Sequence, residues 1–377
     1  MMIWVYILLS YISLFVLGFS DNIRGPVFPM VLEKFSLSDG EGSWAFALAS
    51  MLGFFGSLVG GRALLLFRKI KVLSFSLLLM AGAMAGMAFA PSFMWFLIAS
   101  AVFGFALGLM GVSQNTMVTI GTPPERRSQI LSGLHAMYGL ASLTAPLIVA
   151  FWLKQGWPWQ YVFLVATFFS LLVFINTLIW KGPPFEGVSE DRRRGVSERG
   201  QVLAAVILGA YVVAEIMVST RLTLFMTRFG GQSVEQASLM VTYFFILLLA
   251  GRMLMAFVKI PLKLSMQLKA SLIGSVVLVL LGLNGWPWGF VLSGFTMAPF
   301  YPLAISYISL SFPDSLESAI AKTMAAQSLL VVVMHFAVGY FSDMYGLISA
   351  LYVGPFFLLV SFLSLMWFEK KVLKKCI

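Results

Sequence analysis

Charge is what this sequence has least of. Asp, Glu, Lys and Arg make up 11% of its 377 residues, against about a quarter in an ordinary soluble domain. So few charges cannot clothe a water-facing surface, and 60% hydrophobic residues are more than one soluble core would hold. Cysteine is nearly absent: Cys376 stands alone, which excludes a disulfide framework. The two histidines, His135 and His335, have no metal-ligand spacing with each other or with that cysteine. No glycine loop ends in Lys-Ser or Lys-Thr, so ATP hydrolysis has no support. The serines, aspartates and histidines form no nucleophile motif. Neither an enzyme nor a cofactor is expected. The net charge of +10 does not imply nucleic acid, because the basic residues sit in short turns rather than on one face.

What fills the sequence instead is long apolar runs, each near the ~20 residues that a bilayer crossing needs. Twelve are predicted: Ile3–Val31, Ser43–Leu66, Val72–Ala90, Phe93–Ile120, Gln129–Leu153, Gln160–Trp180, Gln201–Arg228, Gln236–Val258, Leu262–Leu283, Trp288–Phe312, Ser318–Ser342 and Leu347–Phe368. They are expected to be helices, since a helix satisfies its own backbone in lipid. A β-barrel would alternate apolar and polar residues with period two, and these runs do not. The N-terminal run lacks a small-residue cleavage site and is read as the first span.

One stretch occurs twice. GRALLLFRKI (Gly61–Ile70) and GRMLMAFVKI (Gly251–Ile260) lie 190 residues apart and share Gly61/Gly251, Arg62/Arg252, Leu64/Leu254, Phe67/Phe257, Lys69/Lys259 and Ile70/Ile260. Each closes an apolar run with a basic turn before the next run begins. The echo suggests two similar halves in the same orientation; the alternative is chance likeness between apolar helices that end in basic turns. The only long polar stretch, KGPPFEGVSEDRRRGVSERG at Lys181–Gly200, falls between them. The expected architecture is an all-α membrane protein of twelve transmembrane helices in two pseudo-symmetric six-helix halves. These are residues 1–180 and 201–377, joined by a cytoplasmic linker over 181–200, with a basic tail at the end.

Basic residues orient the chain. With the N-terminus inside, the cytoplasmic turns, linker and tail carry sixteen: Arg68, Lys69, Lys71, Arg126, Arg127, Lys181, Arg192, Arg193, Arg194, Arg199, Lys259, Lys263, Lys370, Lys371, Lys374 and Lys375. The outer turns carry three: Lys34, Lys154 and Arg228. That bias puts both termini in the cytoplasm. The expected location is a bacterial inner membrane, and the expected state a monomer.

Ionisable groups inside a membrane are functional candidates by default. Asp21 and Arg24 share a helix face in the first span, just before Gly25, Pro26 and Pro29, which should break or bend that helix. They either serve transport or neutralise one another. Glu215 lies in the seventh span with no basic residue three or four positions away. Taking Phe35 and Phe229 as anchors places it at the position equivalent to Asp21. Arg221 is intramembrane or snorkels to the outer interface; Lys269 and Lys322 snorkel inward. Arg62, Lys69, Arg252 and Lys259 read as gating turns or lipid-phosphate contacts. Gln114, Asn115, His135, Tyr138, Tyr301, Gln327 and His335 can bond a solute's hydroxyls or other helices. The glycines Gly104, Gly108 and Gly111 allow close helix approach.

Two sixes of spans, a basic central loop and a Gly-Arg turn after the second and eighth spans resemble the major facilitator superfamily over the whole chain. Gly61 and Gly251 stand where that family's turn motif has an aspartate. SQNTMVTIGTPPERRSQILSGLHAMYGLASLTAPL (Ser113–Leu147) resembles more narrowly the fucose–proton symporter branch, which includes glucose and galactose carriers; Asn115, Val118, Thr119, Glu125, His135 and Gly139 fit. GFSDNIRGPVFP (Gly18–Pro29), GAYVVAEIMVSTRLTLFMTRFG (Gly209–Gly230) and GFTMAPFYPLAIS (Gly294–Ser306) resemble its first, seventh and tenth spans, with Glu215 on the branch's acid. Gly111 stands where the fucose carrier has a fourth-span acid, and the branch's first-span acid lies a turn later than Asp21.

The resemblance implies a secondary transporter working by alternating access, with the substrate site between the halves. The expected solute is small, polar and sugar-like, and the expected co-substrate is the proton. Asp21 and Glu215 are the candidates for proton coupling. Arg24, Asn115, His135, Tyr138, Tyr301 and Gln327 are the candidates for substrate binding. Two alternatives stay open. One is a proton-driven exporter of amphipathic or drug-like compounds, for which 35 Phe and 22 Met would supply an adaptable lining. The other is a membrane receptor or scaffold that transports nothing.

Overall fold

The computed structural model describes residues 3–37, 39–180, 198–232 and 234–371. Most of the expected linker and the tail beyond Lys371, with Cys376, lie outside the described residues. Twelve helical stretches among them are long and apolar enough to cross a membrane, as the hydropathy predicts. The elements are α1 (Trp4–Asn22), α2 (Arg24–Phe35), α3 (Asp39–Leu66), α4 (Lys69–Ala88), α5 (Phe93–Gly121), α6 (Arg127–Lys154) and α7 (Tyr161–Ile179), then α8 (Glu198–Phe229), α9 (Val234–Phe257), α10 (Leu264–Leu283), α11 (Trp288–Met297), α12 (Phe300–Ser311), α13 (Leu316–Tyr345), α14 (Leu347–Leu351) and α15 (Val353–Lys371).

Three spans are interrupted, each next to a proline. The first breaks at Ile23, between α1 and α2. Pro26 has no N–H to offer, and its ring crowds the carbonyl four residues back, so the break falls where the Gly-Pro pair predicts it. The tenth span divides into α11 and α12 around Ala298 and Pro299, and the twelfth into α14 and α15 at Tyr352, shortly before Pro355.

The chain forms two compact units. One is Met1–Pro123 with Met137–Glu190; the other is Pro124–Ala136 with Asp191–Ile377. The opening turns of α6 therefore belong to the second unit and the rest of that helix to the first. In the first unit α5 is central, lined by α3, α4 and α1. Glycines set its distance from α3: a Cβ on Gly104 would run into the backbone of Ala49, and one on Gly108 into that of Gly53. In the second unit α8 is central, with α13 and α15 packed along it, while α9 and α10 pack on α11. Large apolar side chains also cover the outside of the helices. Phe257 is 77% and Phe336 74% exposed, a surface that suits acyl chains and not water.

Candidate functional site

In the first unit, the break at Ile23 sets the end of α1 against the start of α2. Arg24 Nη2 lies 2.5 Å from Asp21 Oδ1. The other carboxylate oxygen, Oδ2, accepts from Tyr138 Oη of α6 at 2.8 Å. The guanidinium also lies over two rings, 4.3 Å from the centroid of Phe103 and 5.0 Å from that of Phe46. Both oxygens of Asp21 are thus engaged within the unit, and Arg24 adds two aromatic contacts to its ion pair. Charge-assisted bonds of this kind are roughly twice as strong as neutral ones, so the cluster is rigid, and Arg24 already has its counter-ion.

Beside it, α5 presents a run of buried polar groups. Asn115 Nδ2 donates to the Gly111 carbonyl of its own helix at 2.9 Å, and Gln114 Nε2 donates to Ser13 Oγ of α1 at 2.9 Å. Gln114 Oε1 and the hydroxyls of Thr116 and Thr119 have no hydrogen-bond partner among the described residues. A buried acceptor left so costs about 1–3 kcal/mol.

The second unit holds the larger constellation. Glu215 Oε1 pairs with Arg252 Nη2 of α9 at 3.2 Å. Glu215 Oε2 lies 2.5 Å from Tyr211 Oη, one helical turn earlier. That same hydroxyl lies 2.7 Å from the carbonyl of Met297, which the interruption between α11 and α12 helps leave free of its helix. The Tyr211 ring is stacked on Phe300 at 4.3 Å, which fixes where the hydroxyl points. Arg252 Nη1 reaches the carbonyl of His135 at 3.4 Å. The His135 ring meets the edge of Tyr301 at 4.5 Å, and Tyr301 Oη donates to Gln327 Oε1 of α13 at 3.0 Å. Four candidates named from the sequence, Glu215, His135, Tyr301 and Gln327, are therefore joined in one chain of contacts.

Tyr211 and the carboxylate-pairing role of Arg252 were not among the sequence expectations. Tyr211 had a signal, the four-residue spacing to Glu215 that places two side chains on one helix face. Arg252 had none for this role, because its partner lies on another helix. The two arginines of the repeated stretch differ: Arg62 is exposed, whereas Arg252 is 4% exposed. Lys69 Nζ donates to the Leu64 carbonyl at 3.0 Å, closing the end of α3 as basic residues do at helix C-termini. Lys259 lines a cavity of about 180 Å³ with Ser128, Gln129, Gln267 and Leu310. No group of three or more His, Cys, Asp or Glu side chains among the described residues can hold a metal ion.

A family model described as Major Facilitator Superfamily matches residues 10–320. Solved structures with the same fold include the E. coli fucose:proton symporter FucP, at 14% identity and a TM-score of 0.81, covering 96% of this chain and 98% of that one. The human organic anion transporter MFSD10 aligns at 16% identity and a TM-score of 0.77, over 95% of this chain and 98% of its own. The proton:xylose symporter XylE bound to 6-bromo-6-deoxy-D-glucose aligns at 16% identity and a TM-score of 0.79, over 98% and 96%. At these identities the likeness is one of fold. No curated protein matches the sequence significantly.

Proposed function

We propose that this chain, which belongs to the major facilitator superfamily, couples proton movement to the transport of a small hydroxylated, sugar-like solute by alternating access. The observation that carries the reading is the hydrogen count around Glu215. Tyr211 has one hydroxyl hydrogen and two acceptors within bonding distance, Glu215 Oε2 and the Met297 carbonyl. One more proton completes the set. A protonated Glu215 donates to Tyr211 Oη, and Tyr211 then donates to Met297. Without that proton, the carboxylate takes the tyrosine hydrogen and its charge rests on Arg252.

These two states differ by one proton: the protonated one completes the Glu215–Tyr211–Met297 series and frees Arg252, and the deprotonated one keeps the Arg252 pair and gives up the bond to the Met297 carbonyl. A carboxylate in a low-dielectric interior is tolerable when paired or when protonated, and costly otherwise. Loading the proton therefore releases Arg252, and losing it recaptures Arg252. Nearby, Tyr301, Gln327 and the His135 ring offer neutral hydrogen bonds and an aromatic face, the chemistry that replaces water around a hydroxylated solute. Asp21, with Arg24 and Tyr138, is the second acid and supports the same reading as a further coupling group. Two of the solved structures that share the fold are a fucose:proton and a proton:xylose symporter, which favours a sugar-like solute over the exporter reading.

A thermal-stabilisation screen of the purified protein over sugars, organic anions and drugs selects the solute, and proteoliposomes then test the coupling. Glu215→Gln is expected to abolish accumulation driven by a proton gradient while keeping solute exchange. If Glu215→Gln and Asp21→Asn both still concentrate the solute, the coupling mechanism is wrong. Stabilisation by hydrophobic cations alone would favour the exporter.

A further inference from the structure

The turn that follows α9 lines a cavity of about 180 Å³ for which the transport reading has no use. Its whole wall belongs to the second unit: the opening of α6, the end of α9, the first turn of α10 and the later part of α12. Five polar side chains stand in that wall: Ser128, Gln129, Lys259, Gln267 and Ser306. Ser306 is 2% exposed. Its carbonyl accepts from Ser309 Oγ at 2.7 Å, while its hydroxyl bonds no described residue. Gln267 Nε2 donates to the Leu262 carbonyl at 2.8 Å and the Ile260 carbonyl at 3.4 Å, which holds the turn against α10. Its Oε1 has no donor among the described residues. Two helices also begin here. Neither α6 nor α10 has an acidic residue in its first turn, and no side chain caps α10, so both N-termini add positive field to the Lys259 ammonium. The rest of the wall is apolar, and Val258, Leu262 and Leu310 are exposed as well as lining it.

We infer that this cavity takes the glycerol phosphate headgroup of an anionic phospholipid of the phosphatidylglycerol kind. The phosphate meets the positive end, where the Lys259 ammonium and the Ser128 and Ser306 hydroxyls can all donate to its oxygens. The glycerol hydroxyls supply the donor that Gln267 Oε1 lacks. A choline headgroup has no hydrogen to donate there, and an ethanolamine headgroup brings an ammonium against that of Lys259. The volume is that of about six waters, room for a glycerol phosphate group. Free glycerol phosphate has the same polar chemistry, but the exposed apolar rim fits a ligand that carries acyl chains, and that favours the lipid. Lys259 sits in one of the turns that the basic bias assigns to the cytoplasm, and anionic lipids of that leaflet gather at such turns. A headgroup in place ties the opening turn of α6 to α9 and α10. No residue of the Glu215 cluster lines the cavity, so the inference stands apart from the proposed solute and its coupling.

The test titrates short-chain lipids into the full-length protein in an uncharged detergent and reads thermal stabilisation. Phosphatidylglycerol is compared with phosphatidylcholine, with phosphatidylmethanol and with free glycerol 3-phosphate. Phosphatidylmethanol has the same charge without the glycerol hydroxyls. Phosphatidylglycerol is expected to stabilise at the lowest concentration. Lys259→Gln should raise the concentration needed by ~10-fold or more, the loss of a charge-assisted bond. Lys263→Gln removes an equal charge four residues on, from a lysine that does not line the cavity. It should raise that concentration by no more than ~5-fold, the share of general surface attraction. Equal effects of the two variants mean that the lipid gathers on a basic surface and enters no site, which overturns the inference. Phosphatidylmethanol or phosphatidylcholine acting as well as phosphatidylglycerol overturns the headgroup assignment. Glycerol 3-phosphate acting as well assigns the cavity to a soluble ligand and overturns the lipid. If Lys259→Gln does not fold, phosphatidylglycerol against phosphatidylmethanol on the wild-type protein decides, since it needs no variant.

Discussion

Tyr211 Oη lies within hydrogen-bond distance of both Glu215 Oε2 and the Met297 carbonyl, and in the proposed coupling it is the group through which one proton would be shared. Removing the hydroxyl in Tyr211→Phe leaves Glu215 Oε2 and the Met297 carbonyl without their common partner, at about 1–3 kcal/mol of stability. If the proton is shared, Tyr211→Phe and Glu215→Gln act on one network. Their combined effect on thermal unfolding should then depart from the sum of the singles by ~0.5–3 kcal/mol. Additivity to within ~0.5 kcal/mol would show that the two groups do not exchange a proton and would remove the basis of the coupling proposal. At this scale the sequence was partly legible. Intramembrane acids stand out because hydrocarbon makes them expensive, so Asp21 and Glu215 could be picked from the chain alone. Their partners divide by distance in sequence. Arg24 is three residues from Asp21 and Tyr211 four from Glu215, spacings that a helix converts into contacts. Arg252 and Tyr138 reach their carboxylates from other helices, and no local pattern reports how two helices are placed against each other.

Helices follow from simpler rules, which is why the twelve spans could be read in advance, although of the three interruptions only the one in the first span was expected. Apolar length fixes a span, and Gly25 with Pro26 fixes the break in the first one. Gly104 and Gly108 of α5 show the limit of that legibility. Glycine in a span signals close approach, yet only the structure names the surface approached, the backbone of α3 at Ala49 and Gly53. Gly108→Leu must push α3 and α5 apart, and overpacking of this kind costs typically ~1–3 kcal/mol or more. Gly82 of α4 is the control, since a side chain there would meet nothing within 4 Å. Gly82→Ala should be neutral or stabilise by up to ~1 kcal/mol through helix propensity. Thermal inactivation in detergent separates the two expectations. A Gly108→Leu protein as stable as wild type would mean that the two helices are free to move apart without loss.

For the whole molecule, the expected topology follows from two readings: twelve candidate crossings among the described residues, an even number that would put both termini on one side, and a bias of basic residues that would make that side the cytoplasm. The bias counts Lys and Arg near the span ends, because each resists transfer across the hydrocarbon while acidic residues contribute little. One basic group expected on the cytoplasmic side, Lys69, closes α3 on the Leu64 carbonyl, and Lys269, read from the sequence as a snorkelling lysine, bridges to Glu369 of α15 at 2.5 Å. Lys34, one of the three assigned outside, donates to the Ala90 carbonyl at 3.0 Å and lies 5.7 Å from the Trp159 ring, an aromatic setting that suits a membrane interface. The one cysteine of the sequence, Cys376, reports on the tail directly, with no engineered thiol needed. A membrane-impermeant maleimide should label it in inverted vesicles and leave it untouched in intact cells. Labelling in intact cells alone would place the tail outside, reverse every loop assignment, and turn the Arg221 end of α8 toward the cytoplasm.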